Sequence, residues 1–147
     1  ADPQAAVSGA SPAASAAVAA PPSDAPRSPG MKYLHYAPRG RLAVVSGPAQ
    51  AVESRINRDI VEARAAGERT GVLTCAEHAH RYAADIVLVC GSLADPPSLA
   101  RGLYDALRGF DEAGATYILA EAFDESGIGA AVMNRLRKAA GGRFIEA

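Results

Sequence analysis

The sequence predicts an α/β fold, a Rossmann-like three-layer domain with a mainly parallel sheet, preceded by a disordered arm. Three observations predict it. Short Val, Ile and Leu runs of strand length occur at 42–45, 70–74, 85–90 and 116–120. Between them lie longer stretches whose apolar residues recur at helical spacing, and such alternation calls for crossover connections and helices on both faces of a parallel sheet. Ahead of all this, 1–29 is built from Ala, Pro, Ser and Gly with almost no large apolar side chains.

That leading stretch cannot bury enough surface to offset the entropy of ordering, so it is expected to be a mobile linker. Proline at positions 3, 12, 21, 22, 26 and 29 blocks continuous helix despite the alanine. The chain opens at Ala1 rather than Met, in the middle of what reads as a linker, so a fragment or processed product is expected.

The first strand, 42–45, is closed by Gly47-Pro48, and a helix follows with Val52, Ile56 and Ile60 on one face and Gly67 as its stop. The second strand, 70–74, leads into a short polar segment through His78 and His80 that reads as a brief helix. The third, 85–90, is a continuous apolar run, which suits a strand covered on both faces. Asp95-Pro96 then supplies an N-cap followed by proline at the first helical position, with Leu99, Leu103, Leu107 and Phe110 as the buried stripe and Gly114 as the end. After the fourth strand, 126–129 (SGIG) enters a last helix carrying Ile128, Val132, Leu136 and Ala139. Gly141-Gly142 closes it, and 143–145 reads as a terminal strand.

The chain has 147 residues, enough for one core and not two. Its 49% hydrophobic share is rich in alanine, so the core rests on Val, Ile and Leu. With 15 Lys and Arg against 16 Asp and Glu, the net charge of -1 supplies no global field toward nucleic acid or anionic lipid. No run approaches the roughly 20 apolar residues of a membrane span, and 13–20 lacks the basic flank of a secretory signal, so a cytoplasmic protein is expected. Cys75 and Cys90 each end a strand and read as two buried thiols.

In folds of this kind ligands favour the carboxyl ends of the strands, which directs the search to the loops after Val45, Thr74, Cys90 and Glu121. Gly127 and Gly129 at a helix start offer backbone N–H groups to an anion, but their spacing matches neither a Walker loop nor a dinucleotide fingerprint, and glycine used to turn the chain explains them as well. Gly91-Ser92 is a weaker case of the same kind. Cys75, Glu77, His78 and His80 hold metal-ligand side chains at a spacing that fits no common frame, so surface histidines beside a core thiol are expected, and no metal. Asn134, Arg135, Arg137 and Lys138 could meet phosphate or RNA, or could simply complement the helix dipole. No Ser-His-Asp order or nucleophile elbow is visible, so this chain alone is expected to be inactive as an enzyme. The segment with Lys32, Tyr33, His35 and Tyr36 is the most specific feature: its side chains could stack on a base, bond a ribose and meet a phosphate, or could anchor a linker on the domain.

Residues 28–38 (SPGMKYLHYAP), with 133–140 (MNRLRKAA), resemble the C-terminal half of the two-domain threonylcarbamoyl-AMP synthases; the likeness runs from about residue 28 to 140 and includes 103–111 and 127–129. That family makes threonylcarbamoyl-adenylate from threonine, bicarbonate and ATP, for the threonylcarbamoyl modification of adenosine 37 in tRNA. Behind the disordered linker read from composition at 1–29, the resemblance implies an aromatic interdomain linker motif at 30–40 and a Rossmann-like accessory domain at 41–147. It further implies that the catalytic YrdC-like domain, absent here, is the principal partner, and that no cofactor belongs to this chain, ATP with magnesium being a substrate of the longer enzyme. Tyr36 becomes the first choice for a linker contact to ATP, with Tyr33, His35 and Lys32 beside it. The region 1–25 fits no pattern of that family. The rival reading is a non-catalytic α/β module that binds tRNA or a protein partner.

Overall fold

A computed structural model describes residues 36–147. The expectations for the arm at 1–29 and for Lys32, Tyr33 and His35 therefore lie outside the described residues. Within them the chain runs β1 (Arg41–Ser46), α1 (Ala49–Ala65), β2 (Thr70–Thr74), a 3-10 turn (Ala79–Arg81), β3 (Ile86–Val89), α2 (Pro96–Ala113), β4 (Tyr117–Glu121), α3 (Ile128–Ala139) and β5 (Phe144–Glu146). The five strands form one sheet in the order β3-β2-β4-β1-β5, and all four pairings are parallel. Rossmann-like layering follows from what the helices bury.

On one face, Leu99, Leu103, Leu107 and Phe110 of α2 and Val132, Met133 and Leu136 of α3 cover Leu42, Val44, Leu73, Ile118 and Ala120. On the other, Val52, Ile56 and Ile60 of α1 cover Ala43, Val45, Val72 and Leu119. Successive strand residues thus alternate between two cores, which is why the strands read as unbroken apolar runs. The α1 helix ends as its glycine signal predicts: the Gly67 amide donates to the Arg64 carbonyl and the Glu68 amide to the Ala63 carbonyl, the bond pattern of a Schellman cap.

Three local expectations need correction. The apolar run 85–90 forms the edge strand β3, where Val89 is 43% exposed, whereas the more modest TGVLT run makes β2, buried at every position. An apolar run shows that a strand has two hydrophobic faces, but its place in the sheet depends on which strands pair beside it. Ile128 is exposed, because it is the first residue of α3 and the buried stripe of that helix starts at Gly129. Asp95 and Pro96 do begin α2, yet the Asp95 carboxylate makes no cap and instead pairs with Arg101 at 3.1 Å.

Candidate functional site

Two features stand out, one at the carboxyl ends of the strands and one where residue 36 enters the domain. At the first, Glu121 ends β4 between β2 and β1, buried at 5% exposure. A carboxylate there needs hydrogen-bond donors. The Thr74 hydroxyl at the end of β2 donates to its Oε1 at 2.6 Å, His78 Nδ1 lies 2.9 Å from the same oxygen, and the Tyr82 hydroxyl donates to Oε2. Burial, then the bond to Glu121, raises the Tyr82 hydroxyl far above the usual phenol range, so it remains a donor. Cys75 lies against the same group: ligand atoms of Cys75, His78 and Glu121 all fall within 4.8 Å of one another. Burial, then the Glu121 carboxylate, pushes the Cys75 thiol up. Because Cys75 is fully buried, these residues cannot act as a nucleophilic triad on an outside substrate.

Sequence spacing marked Cys75 and His78 but grouped them with Glu77 and His80, and the structure separates those two. His80 is exposed on the 3-10 turn. Glu77 faces the loop before α2, where its carboxylate accepts from the Ser92 hydroxyl at 2.5 Å and from the Leu93 and Ala94 amides at 2.9 and 3.4 Å. Those bonds, Ser92 first, lower its pKa to about 2. The donors of the loop after Gly91 are thus taken by a carboxylate of the same domain.

Gly127 takes a positive φ of 56°, and Gly129 is fixed by a close backbone approach. The Gly129 amide donates to the Ser126 carbonyl at 3.0 Å, and a Cβ at position 129 would stand 1.7 Å from the Asp124 carbonyl oxygen, so only glycine lets the chain pass there. Further along α3, Asn134 is exposed and Arg135 is half-buried, with its Nε buried and lacking a hydrogen-bond partner among the described residues. Arg137 pairs with Glu125 and lies over the Phe144 ring at 5.5 Å. Within 134–138, the Arg137 guanidinium is therefore engaged by Glu125 and Phe144 of the same domain.

At the second feature, Tyr36 is half-buried against α2. Its ring meets Tyr104 edge-on, with centroids 5.1 Å apart at 73°, and its hydroxyl donates to the Asp111 carboxylate. The other Asp111 oxygen accepts the Arg39 amide at 2.8 Å, and the Arg39 guanidinium reaches the Asp111 carbonyl at 3.4 Å. Burial and the bond to Asp111 raise the Tyr36 hydroxyl well above its ordinary range. One carboxylate thus clamps two points of the segment that leads into β1.

The architecture and these two features define a parallel α/β domain that holds Tyr36 and the segment entering β1 against α2. Comparison with known proteins makes the assignment specific. Residues 5–141 match the family model described as the threonylcarbamoyl-AMP synthase C-terminal domain, and the chain belongs to that family. The match takes in most of the Ala/Pro/Ser arm, so the expectation that 1–25 stands outside the family pattern is corrected. The chain is 52% identical to the threonylcarbamoyl-AMP synthase of Bacillus subtilis over 82% of its own length, and 42% identical to that of Pyrococcus abyssi over 84%. It spans only 34% of either relative, about a third, as an accessory C-terminal domain does. Among solved structures, P. abyssi Sua5 complexed with L-threonine superposes with a TM-score of 0.69 at 43% identity, covering 81% of this chain and 33% of that one. The C-terminal Sua5 domain from Pyrococcus horikoshii is matched over its full length and 76% of this chain, at a TM-score of 0.60 and 34% identity. Among the described residues no helix is long and apolar enough to cross a membrane.

Proposed function

We propose that this domain positions the linker motif 30–40 as a cover over the catalytic cleft of a threonylcarbamoyl-AMP synthase, in the cytoplasm, with the cleft supplied by a YrdC-like domain. There threonine, bicarbonate and ATP with magnesium give threonylcarbamoyl-adenylate and pyrophosphate, for tRNA modification. The observation that carries this reading is the seat of Tyr36, which Asp111 and Tyr104 hold on α2. A cover of this kind excludes water and protects a labile mixed anhydride from hydrolysis.

Support also comes from a solved variant of P. abyssi Sua5 in which an adjacent His and Tyr are replaced by alanine; that protein is 39% identical to this chain over 75% of it. His35-Tyr36 is the one adjacent His-Tyr pair in this sequence. In this reading Tyr36 contacts ATP from its seat on α2, with Tyr33, His35 and Lys32 as its neighbours in closing the site.

The test is steady-state kinetics of the synthase that contains this domain. Tyr36→Ala is expected to slow adenylate formation or to raise ATP hydrolysis without product, and unchanged kinetics overturn the reading. Titrating the 147-residue chain with tRNA separates the alternative, since a tight, salt-sensitive complex would mark an RNA-binding module instead.

A further inference from the structure

We propose that Cys75, His78 and Glu121 form a binding site for one zinc ion, or a similar borderline-soft divalent transition metal, held at the carboxyl ends of β2 and β4. Thiolate, imidazole and carboxylate are the donor set such an ion takes. The three ligand atoms lie within 4.8 Å of one another, and a tetrahedral zinc site has edges of roughly 3.3–3.6 Å, so side-chain shifts of about an ångström close the site.

Charge favours the same conclusion. A Cys75 thiolate and a Glu121 carboxylate together carry two negative charges, which a divalent ion neutralises, and a neutral buried cluster avoids the cost of burying an unpaired ion. A bound divalent ion becomes the largest local charge and holds its coordinating thiol as the thiolate.

The proton balance is simple. Cys75 releases its thiol proton to solvent, and His78 binds as the tautomer with its proton on Nε2, which leaves the Nδ1 lone pair for the metal. Thr74 and Tyr82 continue to donate to Glu121 and hold it in place, the role of outer-shell partners in metal sites. The His78 side chain is 23% exposed, which gives the ion a way in, and water completes the coordination. Cys90 lies near Cys75 but outside the group of atoms that converge.

The experiment titrates the reduced 147-residue chain with cobalt(II), whose thiolate complexes absorb by ligand-to-metal charge transfer, and then displaces it with zinc. One equivalent should saturate the signal, zinc should abolish it, and zinc should raise the thermal midpoint. Cys75→Ser should remove the charge-transfer band, and His78→Ala and Glu121→Gln should each weaken binding more than about tenfold. Cys90→Ser should leave the band in place. Circular dichroism confirms that each variant is folded. The proposal is overturned if the folded, reduced parent shows no saturable band, or if the band survives Cys75→Ser or disappears with Cys90→Ser.

Discussion

Tyr36→Phe tests the linker seat with the least disturbance, because it keeps the ring against Tyr104 and deletes only the hydroxyl that donates to Asp111. A hydrogen bond to a charged acceptor contributes about 1.5–3 kcal/mol when buried, and this pair is only half-buried, so a loss of about 1 kcal/mol is expected. Asp111→Ala should cost more, about 2 kcal/mol, since the Arg39 amide loses its 2.8 Å bond as well. Tyr36→Ala adds the loss of an edge-on aromatic contact, about 0.5–1.5 kcal/mol beyond the area it buries. The assay is urea unfolding followed by far-ultraviolet circular dichroism, with the double variant Tyr36→Phe/Asp111→Ala closing a cycle. The two changes should be non-additive by about 1 kcal/mol. If each single change moves stability by less than about 0.3 kcal/mol and the two simply add, the hydroxyl is not held by Asp111 and the seat is illusory.

Two further outcomes follow from packing and charge. Gly102 of α2 passes so close to β3 that an added Cβ would sit 1.9 Å from the Cys90 carbonyl oxygen, a backbone atom that cannot turn aside; Gly102→Ala should therefore cost at least about 1–3 kcal/mol, measured by thermal unfolding, and a neutral result would refute the helix-to-strand spacing. Glu77 has its pKa lowered from 4.5 to about 2 in the folded chain, so its stabilising effect is present above pH 4.5 and is lost as pH falls toward 2. Glu77→Gln should flatten that part of the stability-against-pH curve, and an unchanged slope between pH 5 and 2 would count against the Ser92–Ala94 seat.

The order of elements was legible in the sequence because strand runs, helical stripes and glycine stops are local signals. Leu99, Leu103, Leu107 and Phe110 could be assigned to one buried stripe from spacing alone, and all four are buried. The 3-10 turn at Ala79–Arg81 and the terminal strand β5 were likewise legible from short local patterns. Family membership was also carried by contiguous residues, chiefly 28–38.

What pairing decides was not legible. The runs at 70–74 and 85–90 both announce strands, but only the sheet order puts the first between two neighbours and the second at an edge. Glu121 is separated from His78 by 43 residues and from Thr74 by 47, and nothing in either local segment says that β2 and β4 lie side by side. Asp111 meets Tyr36 across 75 residues for the same reason. Sequence thus determined which segments hydrogen-bond to themselves and which faces are apolar, since those depend on neighbours a few residues away. Only the tertiary structure decided which carboxylate meets which hydroxyl, thiol and imidazole, because those contacts arise when distant strands and helices pack together.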